Sequence, residues 1–202
     1  MKGHRSLSKS KQKSRQSPTL EDLLLRLKIA PDDWDLIIVG DGSGSNWNYH
    51  SGWASISIEK ETLGRRVWYG GMNCGTVNFS EMMAYLQPLN WYLAVEADRR
   101  KRSRKVRFRK VHIVTDSKYC KDRGNSTERA PRKNAPLWRI FDEFKRHGLL
   151  LHWHWIPRAS VDLNVYADKL SKEARLALKN SDTQDIVDNG FDNFKNVYDC
   201  NP

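Results

Sequence analysis

A chain of 202 residues has room for one domain with a hydrophobic core and little room for two. Its 35 Lys and Arg outweigh 24 Asp and Glu for a net charge of +11, which points to a polyanionic partner, nucleic acid before an anionic membrane, and its 39% hydrophobic content excludes global disorder. No apolar stretch is long enough to cross a bilayer, and no apolar run follows the basic start as a secretory signal requires. Cys74, Cys120 and Cys200 are an odd set with no close pair, which argues against a disulfide framework or a zinc site. A reducing, cytoplasmic setting fits this usage, with import to the nucleus or another compartment left open by the basic segments.

Residues 1–17 hold six Lys or Arg and nothing that builds a core, so they read as a disordered arm that either stays near phosphates or solubilises the chain. Residues 18–33 read as a short helical extension. Thr19 is a candidate N-cap with Asp22 three residues on, Pro31 limits the end, and Leu20, Leu23, Leu24 and Leu27 share one face. This helix is expected to pack on the domain rather than take part in chemistry. The domain proper spans 34–178. Residues 34–39 form an apolar strand ending in Asp41-Gly42-Ser43-Gly44. Residues 52–58 alternate with period two and 65–69 follow across a turn, so three antiparallel strands come first.

A helix over 79–97 carries Met82, Leu86, Leu89 and Leu93 on one face, and Pro88 is expected to kink or break it. A basic insertion over 99–110 holds nine Lys or Arg. Residues 111–116 are a buried-type strand ending in Asp116, with a short helix after Ser117 and a polar, irregular stretch over 124–135. A helix over 136–147 has Pro136 in its first turn and Gly148 as a cap. A strand over 149–156 and a helix over 163–178 close the domain. Residues 179–202 form an acidic tail in which Phe191, Phe194, Val197 and Tyr198 offer one more docking turn. Strands first, then alternation, predict an α/β fold with a mixed sheet and helices on its faces.

Four acids stand where chemistry is expected: Asp41 at the end of the first strand, Glu81 in the first turns of the next helix, Asp116 at the end of the fourth strand, and Asp168 early in the last helix. Polar groups at the carboxyl ends of strands gather at one edge of such a sheet. A desolvated carboxylate must be paired or bind metal, and several together require cations. Oxygen-only ligands suit magnesium or manganese, and a pair of such ions serves phosphodiester hydrolysis. Any one of these acids alone fits a turn or helix cap equally well.

In the basic run, Arg99, Arg100, Lys101, Arg102, Arg104 and Lys105 are candidates for phosphate contact, against the alternative of a solvated loop. Trp53, Trp68, Trp153 and Trp155 read as core, and Trp47 and Tyr49 as candidates for stacking. His152 and His154 share a strand face and read as structural, and Cys120 as packed.

From the first strand to the last helix, over residues 34–178, the chain resembles the ribonuclease H family. Asp41-Gly42-Ser43 resembles its opening motif. Thr76-Val77-Asn78-Phe79-Ser80-Glu81 resembles the family's Thr-Asn-Asn-x-x-Glu, with Val77 replacing the first Asn. Val114-Thr115-Asp116-Ser117-Lys118-Tyr119 resembles the strand ending in Asp-Ser, with Lys118 replacing a frequent Gln. Trp155-Ile156-Pro157-Arg158, then Asn164 to Asp168, resembles the last segment.

The resemblance implies a five-stranded mixed sheet and cleavage of the RNA strand of RNA–DNA hybrids, leaving 5′-phosphate and 3′-hydroxyl ends. It implies two Mg2+ ions, with Mn2+ able to substitute. Asp41 would bridge both ions, Asp168 would join it at the water-activating ion, and Glu81 and Asp116 at the other. Gly42, Ser43 and Asn78 would read the ribose 2′-hydroxyl, and Asn164 matches the family's Asn one turn before the last acid. A monomer is the family's usual form.

Arg158 stands where the bacterial type has a His in a glycine-rich loop, a Pro-Arg variant suited to gripping phosphate. Asn46-Trp47-Asn48-Tyr49 replaces the usual Gly-Asn-Pro-Gly, and the basic run is not a residue match to the family's basic handle. A junction resolvase, a DNA exonuclease (whose usual opening is Asp-x-Glu) and a non-catalytic nucleic-acid-binding protein remain alternatives on this fold.

Overall fold

Strand β1 (Leu36–Gly44) is buried along almost its whole length, as a run of Leu, Ile and Val flanked on both sides must be. It pairs antiparallel with β2 (Ser51–Glu59), which pairs antiparallel with β3 (Arg65–Met72). On its other edge β1 pairs parallel with β4 (Lys110–Thr115), which pairs parallel with β5 (Leu150–Trp155). The sheet order is β3-β2-β1-β4-β5, the mixed five-stranded sheet expected. The computed structural model describes residues 20–44, 50–73, 75–104, 108–127 and 134–180. The expectations for the basic arm, Thr19, the loop with Trp47 and Tyr49, Lys105, Cys74 and the acidic tail beyond residue 180 lie outside these residues.

Alternate side chains of β1 divide the core. Leu36 and Ile38 join the larger cluster beneath helix α2 (Val77–Lys101), with residues of α3 (Lys118–Gly124) and α4 (Ala135–Arg146). Ile37 and Val39 face the other way, toward Leu23 of α1 (Leu20–Leu27), Trp34, Val114 and Ile156. Helix α5 (Asp162–Asn180) lies against β1, β2 and β3. It comes close because β2 carries Gly52 there: a Cβ at Gly52 would stand 2.0 Å from the Ser171 carbonyl oxygen. Among the described residues no helix is long and apolar enough to cross a membrane.

Two expectations change. Helix α2 runs unbroken through Pro88, because its residues from Phe79 to Leu89 are buried in the core, and packing on that scale outweighs the roughly 3 kcal/mol a mid-helix proline costs. The basic run is not a free insertion either. Arg99, Arg100 and Lys101 form the last turn of α2, where cations suit the helix dipole, and Lys110 already belongs to β4.

The outer edge of β5 is closed by a side chain. Asn125 donates from Nδ2 to the Trp153 carbonyl (2.8 Å), and its Oδ1 accepts from the Trp153 N–H (3.3 Å). At the sheet centre, pairing of β1 with β4 ends at Val39 opposite Val114. Tyr85 of α2 fills the divergence, its hydroxyl donating to the Gly40 carbonyl at 2.9 Å and approaching the Val114 carbonyl at 3.3 Å. Removing that hydroxyl leaves buried carbonyls short of a donor, at a cost of about 1–3 kcal/mol. Tyr85→Phe is therefore expected to lower the thermal midpoint by roughly 2–10 °C, read by calorimetry or circular dichroism.

Candidate active site

The parallel strands β1 and β4 set the first two acids. Asp41 and Asp116 each lie two residues beyond the last paired position, so both stand where the strands part. Asp41 does not end its strand as expected. It sits within β1, opposite Ala54 of β2, and is fully buried. Asp116 directly follows β4, before the Ser117 cap, whose Oγ accepts from the Cys120 N–H.

Glu81 arrives from α2, which Thr76 caps by accepting the Phe79 N–H. Its approach depends on Gly42, because a Cβ there would lie 2.2 Å from the Glu81 backbone nitrogen. The Gly42 amide in turn hydrogen-bonds Glu81. Carboxylate oxygens of Asp41, Glu81 and Asp116 all fall within 4.8 Å of one another.

Asp168 comes from α5. Lys172, one turn further on, and Arg158 of the preceding loop both hold it, Arg158 through Nη2 at 3.2 Å. The same guanidinium reaches Asp116 through Nε at 3.6 Å. Arg158 is kept in place by Asn164, whose buried Oδ1 accepts the N–H of Ala159, a residue in the left-handed region with φ 53°. The Asn expected to belong with Asp168 thus also shapes the loop that carries Arg158.

Burial first, then the charges of Asp116 and Asp168, push the Asp41 carboxyl up to about 8. Glu81 is raised too, by burial and by Asp41 and Asp116, and Asp116 is raised by burial despite Arg158. Asp168 goes the other way. Burial would raise it, but the hydrogen bond from Lys172 and the charges of Lys172 and Arg158 hold it below the usual value. Partial burial works against the Arg158 charge, yet the surrounding carboxylates keep it above its ordinary value.

Both oxygens of Asp41 and Oε2 of Glu81 are buried without a hydrogen-bond partner. Buried carboxylate oxygens with no donor, raised affinity for protons and an all-oxygen donor set fit a hard divalent cation.

Among the other site candidates, Gly42 and Ser43 lie in β1 beside Glu81, and Asn78 is half-buried in the first turn of α2. Lys118 opens α3, its Nζ 5.5 Å from the centre of the Trp155 ring. Trp155 is 40% exposed rather than core, because it is the last residue of β5, past the packing that buries Trp153, and its Nε1 donates to the Asp116 carbonyl (3.0 Å). The basic run stands apart. Arg99 is eighteen residues along α2 from Glu81, about 27 Å at helical rise. Arg99 pairs with Glu96, Arg102 with Asp98, and Arg100 donates to the His147 carbonyl.

His112, His152 and His154 stack on one face of the sheet. The Asp33 carbonyl can only accept, so His112 Nε2 carries the proton and Nδ1 accepts from His154 Nε2. Burial lowers both, His154 to about 4, so this is a neutral structural pair. Cys120 is buried, with its thiol pushed up by that burial. Three contributors were not singled out in the sequence: Tyr85 and Lys172, each four residues after an acid on the same helix face, and Arg26 of α1, which donates to the Ser160 carbonyl in the Arg158 loop.

A mixed five-stranded sheet, with carboxylates from β1, α2, the end of β4 and α5 converging where the parallel strands part, defines the ribonuclease H-like class. The RNase H family model matches residues 33–175, and the chain belongs to that family. Ribonuclease H of Chelativorans sp. (strain BNC1) is 29% identical over 159 residues, covering 70% of this chain and 86% of that protein. Among solved structures, LC11-RNase H1 in complex with an RNA/DNA hybrid superposes with a TM-score of 0.54 at 19% identity, covering 71% of this chain and 99% of that one. The N-terminal RNase H domain of a Mycobacterium tuberculosis protein, solved as a fusion with maltose-binding protein, gives 0.53 at 17%, covering 72% and 96%.

Two predictions follow from this geometry. Gly42→Ala forces β1 and α2 apart and is expected to cost at least about 100-fold in turnover, since an ångström of misplacement at a reacting centre has that scale. Turnover measured beside the thermal midpoint separates lost geometry from lost folding. The second concerns charge. In the fold Asp41 titrates above the usual carboxylate value of 3.8, so without a cation its ionisation destabilises the protein increasingly as pH rises from there toward about 8. Asp41→Asn removes this penalty. In chelator at pH 8 the variant is expected to melt about 2–8 °C above wild type, with the gap closing toward pH 4. Added Mg2+ should raise the wild-type midpoint more than that of the variant.

Proposed function

We propose that this protein is an endonuclease that hydrolyses the RNA strand of RNA–DNA hybrids with two divalent metal ions, leaving 5′-phosphate and 3′-hydroxyl ends. The observation that carries the reading is the convergence of Asp41, Glu81 and Asp116 within 4.8 Å, with partnerless buried oxygens, in a chain of the RNase H family. Asp41, Glu81, Asp116 and Asp168 would hold Mg2+, with Mn2+ as a substitute. Bound there, such ions supply an activated water and stabilise the leaving oxygen of an in-line displacement.

The remaining work falls to the chain. The backbone at Gly42 and Ser43, with Asn78 beside it at the start of α2, offers polar groups to a ribose 2′-hydroxyl, the group that separates RNA from DNA. Lys118 offers a cation beside Asp116. Arg158 already reaches toward two of the acids, and its fork suits two oxygens of a phosphate once cations satisfy those acids. Asn164 holds that loop in place. The LC11 enzyme, solved with an RNA/DNA hybrid, supports the choice of substrate. We also propose that the protein acts as a monomer in a cytoplasmic setting.

The test is cleavage of a labelled RNA–DNA hybrid with Mg2+, beside double-stranded DNA, double-stranded RNA and a four-way junction. Only the RNA strand of the hybrid should be cut. Asp41→Asn should lose at least about 1,000-fold, and Arg158→Ala should chiefly raise KM, by about 10-fold, a loss of one charge-assisted phosphate contact. Cutting of a junction or duplex DNA with the hybrid intact would move the enzyme to another class on this fold. Tight binding with no cleavage, unchanged in Asp41→Asn, would leave a binding protein.

A further inference from the structure

Helix α1 precedes the family-matched region, which begins at residue 33, and the sequence alone marks it only as packing. Its apolar face does pack, through Leu23 and neighbouring leucines. Its C-terminal end does something more. A groove of about 570 Å³ opens between that end, α3 and β5, lined by Arg26, Lys28, Lys118, Lys121, His154 and Trp155. That volume lies within the range of about 300–1,000 Å³ in which ligands are held.

The groove is cationic. Asp122 is its one carboxylate among the lining residues, and it lies 2.9 Å from its neighbour Lys121 in an exposed pair of little strength. Arg26, Lys28 and Lys118 have no carboxylate partner among the described residues. His154 is neutral, and its Nε2 is committed to His112. The exposed Trp155 ring beside Lys118 adds a stacking surface.

Two hydrogen bonds tie the groove walls to the segments that carry Asp116 and Arg158. Trp155 Nε1 donates to the Asp116 carbonyl, and Arg26 donates to the Ser160 carbonyl at 3.0 Å, two residues from Arg158.

We propose that this groove binds the sugar-phosphate backbone of the cleaved strand beyond the scissile phosphate, so that α1 extends the substrate path of this chain. The inference rests on the ribonuclease reading above. Phosphates meet Arg26, Lys28, Lys118 and Lys121, and one base or sugar stacks on Trp155.

Arg26 and Lys118 stand too close to the Arg158 loop and Asp116 to be clean probes, so Lys28 and Lys121 are changed instead. Binding of a fluorescent RNA–DNA hybrid is measured in the full-length Asp41→Asn protein, which separates binding from turnover, with and without Lys28→Glu plus Lys121→Glu. The milder pair Lys28→Gln plus Lys121→Gln serves as a second variant, and thermal midpoints check folding. At about 0.1 M salt the Glu pair should raise Kd by at least about 5-fold, and the slope of log Kd against log salt should fall by about 1.5, the change expected for two lost phosphate contacts. The effect should vanish when the RNA strand is shortened to the cleavage point from one end, and persist when the DNA strand is shortened instead. Unchanged Kd and slope, in a protein whose wild type cleaves the hybrid, overturn the groove and leave the ribonuclease reading standing. An effect that vanishes on shortening DNA overturns the assignment to the cleaved strand. Absence of hybrid cleavage in the wild type overturns the ribonuclease reading and this inference with it.

Discussion

Mutual repulsion of buried carboxylates is the constraint around which this molecule is arranged. Asp41 and Glu81 are almost wholly removed from solvent, and neighbouring carboxylates raise the proton affinity of both, Asp116 and Asp168 for Asp41, and Asp41 and Asp116 for Glu81. Ordinary folding would avoid such a cluster, since a desolvated charge is among the most expensive features a core can carry. It persists because the surrounding frame over-determines it. Long apolar strands fix β1 and β4 from below, Tyr85 ties their diverging ends, and the absence of a side chain at Gly42 lets α2 bring Glu81 in. Counter-charges are supplied only at the margin, where Arg158 and Lys172 hold Asp168. The interior oxygens of Asp41, and Oε2 of Glu81, have no hydrogen-bond partner.

That division separates two kinds of carboxylate. Asp168 is ionised easily and already paired, so it offers a ready charge at the solvent side of the site. Asp41 is neutralised more readily than it is ionised until a cation arrives. Arg158 bridges the two regimes. Its loop is set by Asn164, and its guanidinium spans Asp116 and Asp168.

Much of this was legible in the sequence because the relevant signals are local. Buried parallel strands must be continuously apolar, so residues 36–39 and 111–115 announced themselves, and an acid directly after such a run is conspicuous. Of the four acids chosen on that ground, together with the family resemblance, Asp41, Glu81 and Asp116 come within 4.8 Å of one another, and Asp168 is linked to Asp116 through Arg158. What was not legible depends on tertiary context. Pro88 reads as a breaker because propensity is local, whereas the packing that carries the helix past it is not. Residues 99–101 read as a charged loop because no apolar period marks the end of a helix that leaves the core. Trp155 reads as core because a strand pattern does not say where along a strand the packing stops: Trp153 of the same strand is buried. The pairing of Asp168 with Arg158, and the place of Arg26 beside the Arg158 loop, follow from how α5 and α1 sit on the sheet, whereas Lys172 lies one helical turn from Asp168 and was within reach of local spacing.

The Asn125 amide on β5 has a consequence for how copies of this protein meet. A free edge strand offers its outward N–H and C=O groups as a template for another chain's backbone. At Trp153 both groups are already occupied, by one side chain that imitates a strand residue in each direction. An incoming segment would have to displace Asn125 before it could dock there. Strand addition along β5 is thus obstructed at its middle, the position where an added strand would need both bonds.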